Sequence, residues 1–357
     1  MTDGGRRARR AFIGSFTAAG GPGVVAAAVA GDSGALTPLT SVDGVPDPSY
    51  LALSPDGDTL YAVSETTEGA VAAYRVKDAA LELTGPPVRV GGSGPTHLSL
   101  FDGHVLTANY GSGSVSAVPV RADGRLAHAP SGVLRHSGSG PHERRQRDPH
   151  AHQVQPDPSG RWVVSVDLGT DSVRVCALTD GRLELHREVA LRPGSGPRHL
   201  AFHPDGRHAY VVNELTPTVT VCRWDAAAGS LRPLAETPLL PDTPAGDAYP
   251  SGIVVAPDGR FLWTATRGED VLSAFAVDAD GEGLTRVGTV PCGGHWPRAL
   301  ALSHGSSSGR SASEGVFLYV VNERSGDVTW FAVDPATGLP ERAGAVRVAA
   351  ASCVIFG

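Results

Sequence analysis

Six stretches of this chain repeat one another about every 50 residues, and that self-similarity limits the fold more tightly than any composition value. Examples are "PSYLALSPDGDTLYAVSETTEGAVAAYRV" from Pro48, "PRHLAFHPDGRHAYVVNELTPTVTVCRW" from Pro197 and "PSGIVVAPDGRFLWTATRGEDVLSAFAV" from Pro250. Equivalent positions Pro48, Pro95, Ala151, Pro197, Pro250 and Pro297 lie 47, 56, 46, 53 and 47 residues apart. In the last copy a Ser/Gly-rich insertion, Ser303 to Gly315, replaces the turn. The units carry no helical period, so each reads as one four-stranded sheet.

Each unit parses alike. A first strand runs into a Pro-Asp-Gly-type turn, where Pro fixes φ and Gly supplies the positive φ of a tight reversal. A second strand rich in Val and Tyr follows, then a third. A Gly-x-Leu-like step opens the fourth, at Gly34, Gly124, Gly181, Gly229, Glu282 and Thr337, with a weaker version at Ala79. Strands are left over at both ends. "FIGSFT", "PGVVAAAV" and "ALTPLTSV" match second, third and fourth strands, and the terminal "ASCVIFG" matches a first. Together they make a seventh sheet that closes a ring and leaves no blade unpartnered. The expectation is all-β: a seven-bladed β-propeller with four antiparallel strands per blade. Residues 1–10 are expected to be a flexible leading segment and 11–357 a single domain. The opening "RRARRAFIGSFTAAGGPGVVAAAVA" imitates an export signal, but cleavage behind it would delete two strands of the closing blade. It is read as folded.

Composition agrees with many short strands: 45 Gly and 28 Pro in 357 residues. A net charge of -7 offers no basic face to nucleic acid, so no such partner is expected. No segment approaches the roughly 18 apolar residues of a membrane span. Cys176, Cys222, Cys292 and Cys353 have neither metal-type nor redox-type spacing and read as buried thiols of a cytoplasmic protein.

The register of the repeats singles out a ring of residues. Six positions before the turn proline of each first strand lie Ser49, His152, Arg198 and Ser251, with Thr96 and Arg298 in the irregular copies. Eight past the turn glycine, the second strands end at Glu65, Leu168, Glu214 and Arg267, with Tyr110 and Glu323 equivalent. First strands are innermost in a blade, so both sets meet at one mouth of the central channel and point the same way. "GPHERRQRDPHAH" adds Arg144, Arg145, Arg147 and His150, and Arg324 stands at a comparable place. Solvation of a polar rim is the plain account, and a rim side chain buries too little area for its loss to unsettle the fold. A positive cluster at a concave site points instead to a small anionic ligand, since the guanidinium fork suits carboxylate or phosphate. His97, Tyr110, Arg145, His150 and Arg298 are the candidate substrate contacts. Arg207, at the far end of the Arg198 strand, belongs to a turn.

"GPRHLAFHPDGRHAYVVNEL", "RQRDPHAH", "VDLGTDSV", "TANYGSGSV" and the closing "CVIF" resemble the seven-bladed β-propeller lactonase family across essentially the whole chain. That family includes bacterial 6-phosphogluconolactonases and fungal 3-carboxy-cis,cis-muconate cyclases. The resemblance implies catalytic or substrate-binding roles for His152 (or His150), Arg198, Glu214 and Arg267. Two departures stand out: Thr266 replaces the usual Asn before Arg-Gly, and "PDTPAGDAYPSG" differs from the common approach to the fifth repeat.

Three readings follow. A hydrolase would act on the lactone of an anionic sugar acid, with Glu214 or His152 as base, Arg198 on the developing oxyanion and other arginines on the anion. A cyclase or isomerase of an unsaturated carboxylic acid would use the same groups for proton transfer. A non-catalytic propeller would bind partners on its rim. No cofactor is expected, and no metal. His150 and His152 share a strand face, but Asp148 and Asp167 lack diagnostic spacing and the arginines repel a cation. His199 and His203 read as structural hydrogen-bonders.

Overall fold

The computed structural model describes residues 9–244, 246–303 and 315–357. The chain forms seven antiparallel sheets, the blades of a β-propeller. Six have four strands, and in the other the fourth strand is split into Ala80–Leu83 and Val88–Arg89, both paired with Ala70–Lys77. Pro86 and Pro87 lie in the gap, where they cannot donate to the ladder.

Both chain ends build one blade, as the leftover strands require. Ala351–Phe356 pairs with Arg10–Ser15 from Ala11↔Phe356 to Gly14↔Cys353, and Val24–Val29 and Leu36–Val42 complete the sheet. The first of these begins at Arg10, inside the segment expected to be flexible. Thr17 already lies in the short 3₁₀ turn Thr17–Ala19. Residues 1–8 and the inserted stretch 304–314 lie outside the described residues. Among those described, no helix is long and apolar enough to cross a membrane.

The fourth-strand steps hold except at Gly124. There Leu126 makes only an isolated bridge to Val120, and the strand is Gly132–Arg135, paired with Ser114–Pro119. A local Arg121 N–H to Arg125 carbonyl bond closes the Gly124 turn on itself, and Pro130 interrupts the chain before pairing resumes.

Blades pack face to face through repeated aromatic contacts. Tyr61, Tyr210 and Tyr319 donate their hydroxyls to the carbonyls of Gly124, Gly281 and Gly34 in the next blade, at 2.9, 2.9 and 2.6 Å. Trp162 and Trp263 donate their indole N–H to Ala226 and Gly338, both at 2.8 Å. Each therefore buries its apolar body between sheets while its polar end is satisfied, a burial contributing roughly 1.5–3 kcal/mol per large side chain. The acceptor turns need glycine twice over at Gly338: its φ is 74°, and a Cβ there would lie 2.3 Å from the Phe261 ring.

One irregularity recurs where the channel mouth forms. The ladder of Pro197–Phe202 on His208–Asn213 slips between Pro197↔Asn213 and His199↔Val212, leaving Arg198 as a β-bulge. Ala151–Pro156 bulges likewise at His152, and Pro297–Ser303 at Arg298. A bulge kinks the strand and re-aims its extra residue, so the ring positions are released from the ladder toward the channel.

Candidate active site

The second strand's end closes against this bulge. Glu214 N–H donates to the Gly196 carbonyl at 2.7 Å, bringing its side chain level with Arg198. Glu214 Oε2 lies 3.0 Å from Arg198 Nε and 2.7 Å from Arg267 Nη2, and its Oε1 lies 2.5 Å from Arg145 Nη2. One carboxylate thus holds three guanidinium groups from three different parts of the chain. Three of the four are not solvated rim: Arg198, Glu214 and Arg267 are 2%, 3% and 7% exposed, while the Arg145 side chain is 34% exposed. For these three positions the expectation that rim side chains bury little is corrected here.

Secondary contacts fix each arginine. Arg198 Nη1 donates to the Ser251 carbonyl, and Arg267 donates to the carbonyls of Tyr249 and Pro250 at 3.1 and 3.3 Å. Arg145 Nη2 also reaches the Tyr110 hydroxyl at 3.3 Å. Burial would raise the Glu214 carboxyl, but Arg267, Arg198 and Arg145 outweigh it and hold it down at about 2. Burial, then the nearby Arg267 charge, push Arg198 down to about 9, still cationic at neutral pH.

Beside the arginines lies an imidazole cluster. The His152 ring is 5.2 Å from His199 and 5.5 Å from Tyr110, and His97 is 5.6 Å from His199 and 4.1 Å from Tyr50. Burial, followed by the Arg198 charge, lowers His97 to about 3 and puts His152 and His199 well below the usual imidazole range. All three are neutral at pH 7. Among the described residues, His152 Nδ1 and His97 Nδ1 are buried without a hydrogen-bond partner.

The remaining expected contacts fall around these. His150 stacks on Tyr110 at 4.4 Å, and its backbone N–H is pinned by Asp167 at 2.9 Å. Asp167 is itself engaged by His136 and Arg174, so it is no partner for a His150–His152 metal site. Arg298 lies between Glu323 at 3.2 Å and Glu65 at 3.6 Å. Burial raises the Glu65 carboxyl against the pull of Arg298 and a Ser49 hydrogen bond, opposite to Glu214. Arg144 and Arg147 are exposed, and of their run only Arg145 reaches Glu214.

Sequence reasoning did not place His199 beside Arg198 and His152. Alternation along a regular strand sends neighbours Arg198 and His199 to opposite faces; the bulge brings His199 Nε2 within 3.4 Å of Arg198 Nη1. Trp296 was also missed, a partly exposed indole whose centroid is 5.6 Å from the Arg267 guanidinium carbon. A metal-type cluster does exist among the described residues, formed by His203, Asp205 and His208. It occupies the turn at the far end of the Arg198 strand, about 16 Å along it.

Arrangement and sequence relatives agree. The family described as "Lactonase, 7-bladed beta-propeller" matches residues 10–356. The chain is 34% identical to the 6-phosphogluconolactonase of Bacillus subtilis over 331 residues, 92% of each chain. It is 30% identical to the 6-phosphogluconolactonase of Formosa agariphila, covering 92% of this chain and 93% of that one. The structure of the periplasmic gluconolactonase of Pseudomonas aeruginosa superposes with a TM-score of 0.88 at 32% identity, covering 98% of each chain. A Lactobacillus plantarum protein superposes with a TM-score of 0.89 at 28% identity, covering 98% of this chain and 99% of that one. Fold, closure and relatives place this chain in the seven-bladed β-propeller lactonase family of lactone hydrolases.

Proposed function

We propose that the chain hydrolyses the lactone of an anionic sugar acid, a phosphorylated aldonolactone, at the mouth lined by Arg198, Glu214, Arg267 and His152. The observation that carries this is the pairing of a neutral imidazole, whose Nδ1 lacks a partner among the described residues, with a guanidinium fixed beside it. Relatives named 6-phosphogluconolactonase support hydrolysis over cyclisation. Four free, buried cysteines support a cytoplasmic setting.

Glu214 is the organiser here rather than the base. With its oxygens taken by three guanidinium groups and its carboxyl held at about 2, it has little affinity for a proton. His152 accepts the proton of a water that attacks the lactone carbonyl. Arg198, whose charge acts directly on His152, stabilises the oxygen that becomes negative. The tetrahedral intermediate collapses by breaking the ring C–O bond, and His152 returns its proton to the departing ring oxygen, leaving a hydroxyl and a carboxylic acid. Burial, then the Arg198 and Arg298 charges, depresses His152, and an anionic substrate offsets the arginine share of that depression.

The test is hydrolysis of 6-phosphogluconolactone and glucono-δ-lactone above their uncatalysed rates, beside a carboxymuconate cyclisation assay. Turnover of a lactone supports the reading. Cyclisation alone, or no turnover of any of the three, overturns it.

A further inference from the structure

The charges around Glu214 raise a question about the substrate's remote anion. Arg145, Arg198 and Arg267 all contact Glu214, and Arg298 is shared by Glu65 and Glu323. Each of those four cations already contacts a carboxylate, three of them the same one. Arg324 is different. It follows Glu323 beyond the second strand Phe317–Asn322, and among the described residues its side chain makes no ion pair. Its guanidinium carbon lies 3.3 Å from the centroid of the Trp296 ring.

Trp296 is held for this contact. Its φ of 66° puts it in the left-handed region, the only aromatic residue there among those described. A bulky side chain does not rest in that region unless its surroundings hold it, and such outliers gather at ligand sites. The Trp296 N–H donates to Asp270 Oδ1 at 2.9 Å, and its carbonyl accepts the Glu323 N–H at 3.1 Å. The neighbouring His295 ring is bound by Asp270 as well. The indole therefore stands between the Glu214 cluster, reached through Arg267 at 5.6 Å, and Arg324.

Arg324 also lines a cleft of about 490 Å³ on the mouth face, with Ala19, Ser325, Gly326 and Arg347. Two charges there need accounting. Glu323 is engaged by Arg298 at 3.2 Å, and Arg347 is 83% exposed with Asp327 4.0 Å away. Stacking on the indole uses the flat face of a guanidinium and leaves its N–H edge open, which is the edge that grips a phosphate bidentately.

We propose that Arg324, laid on Trp296, binds the phosphate of the substrate and separates phosphorylated from unphosphorylated lactones. The proposal rests on reading the mouth as a lactonase site. It makes Arg324 a specificity residue, with Trp296 positioning it, while the carbonyl end lies with Arg198 and His152.

The experiment compares 6-phosphogluconate with gluconate, by calorimetric titration of wild type, Arg324→Ala, Arg324→Lys and Trp296→Leu. Kinetics on the two corresponding lactones run alongside. Wild type binds the phosphorylated acid more tightly, and Arg324→Ala lowers that preference about 30-fold, the scale of lost hydrogen bonds to a charged group. Arg324→Lys restores part of it, since an ammonium keeps the charge but not the planar fork. Trp296→Leu weakens it by freeing the guanidinium. In the kinetics the loss appears in KM for the phosphorylated lactone rather than in kcat. Equal weakening of both acids by Arg324→Ala, or a preference unchanged by it, overturns the proposal. A wild type that prefers 6-phosphogluconate yet hydrolyses neither lactone would sink the hydrolase reading and keep the phosphate site.

Discussion

Arg198 Nε stands 3.0 Å from Glu214 Oε2, with the two side chains only 3% and 4% exposed. The contact joins a bulged first strand to the end of its partner strand and ties both to Arg145 and Arg267. A buried ion pair is not itself a source of great stability, but breaking one leaves a charge stranded in a low-dielectric site.

Glu214→Gln therefore strands the buried Arg198 and Arg267 guanidinium groups. Its expected cost is about 3 kcal/mol or more in urea unfolding, together with a fall in turnover of roughly 100-fold. Arg198→Ala should lower turnover by a similar factor. Arg207, 77% exposed at the opposite end of the same hairpin, should change neither quantity when replaced by Ala. Full activity in Glu214→Gln, or equal losses at Arg198 and Arg207, would show the cluster to be structural decoration.

Chelation should leave turnover intact. The proposed chemistry runs through guanidinium and imidazole groups, and the His203–Asp205–His208 cluster sits at the far turn of the strand. There Asp205 accepts hydrogen bonds from Arg207 N–H at 2.7 Å and the His208 ring at 2.8 Å, ordinary turn chemistry. Lactone turnover after exhaustive dialysis against a chelator is the measurement. Activity lost on dialysis and regained with a divalent ion alone would contradict it.

The period and closure of the ring were legible because each blade is a local unit whose turn glycines and alternating strands are written contiguously. Arg198, Glu214, His152 and Arg267 were legible as a register, since side chains one repeat apart face one way. What alternation hides is the bulge: it places His199 beside Arg198 when strand periodicity sends them apart. Burial was hidden too, because Arg267 reaches Glu214 only once neighbouring blades pack together. Trp296 was invisible for a related reason. "GGHWPR" reads as a turn, and its contact with Arg324 lies between blade entry and blade exit.

Removing Ala351–Gly357 should unfold far more than one strand. The segment supplies the innermost strand of the closing blade, and Cys353, 2% exposed, packs with Phe12, Leu51 and Leu60. Its loss exposes the inner edge of Arg10–Ser15 and leaves two neighbouring blades without a partner face. Circular dichroism of the truncated chain should show loss of the cooperative melt. A cooperative transition within a few degrees of the full chain would mean that the other six blades hold themselves together.

Acid should destabilise the protein from about pH 6.5 downward through the imidazole cluster. Each histidine has an unfolded value near 6.5, whereas in the folded protein His97 sits at about 3 and His152 and His199 lie well below 6.5. Below pH 6.5 the unfolded chain binds protons that the folded chain refuses, so stability is complete above that pH and declines toward the folded values. His97, which refuses a proton down to about 3, contributes a slope of up to about 1.4 kcal/mol per pH unit below 6.5, and His152 and His199 steepen the loss in the same direction. Glu214 adds a loss only lower down, between its ordinary range and about 2. Urea unfolding at pH 7.5, 6.5, 6.0 and 5.5 measures the slope, and His97→Phe isolates one member while keeping a ring against Tyr50. The variant should lose about one proton's share of the slope. A slope identical to wild type would mean that His97 titrates normally in the fold, and that the channel admits enough water to solvate its charge.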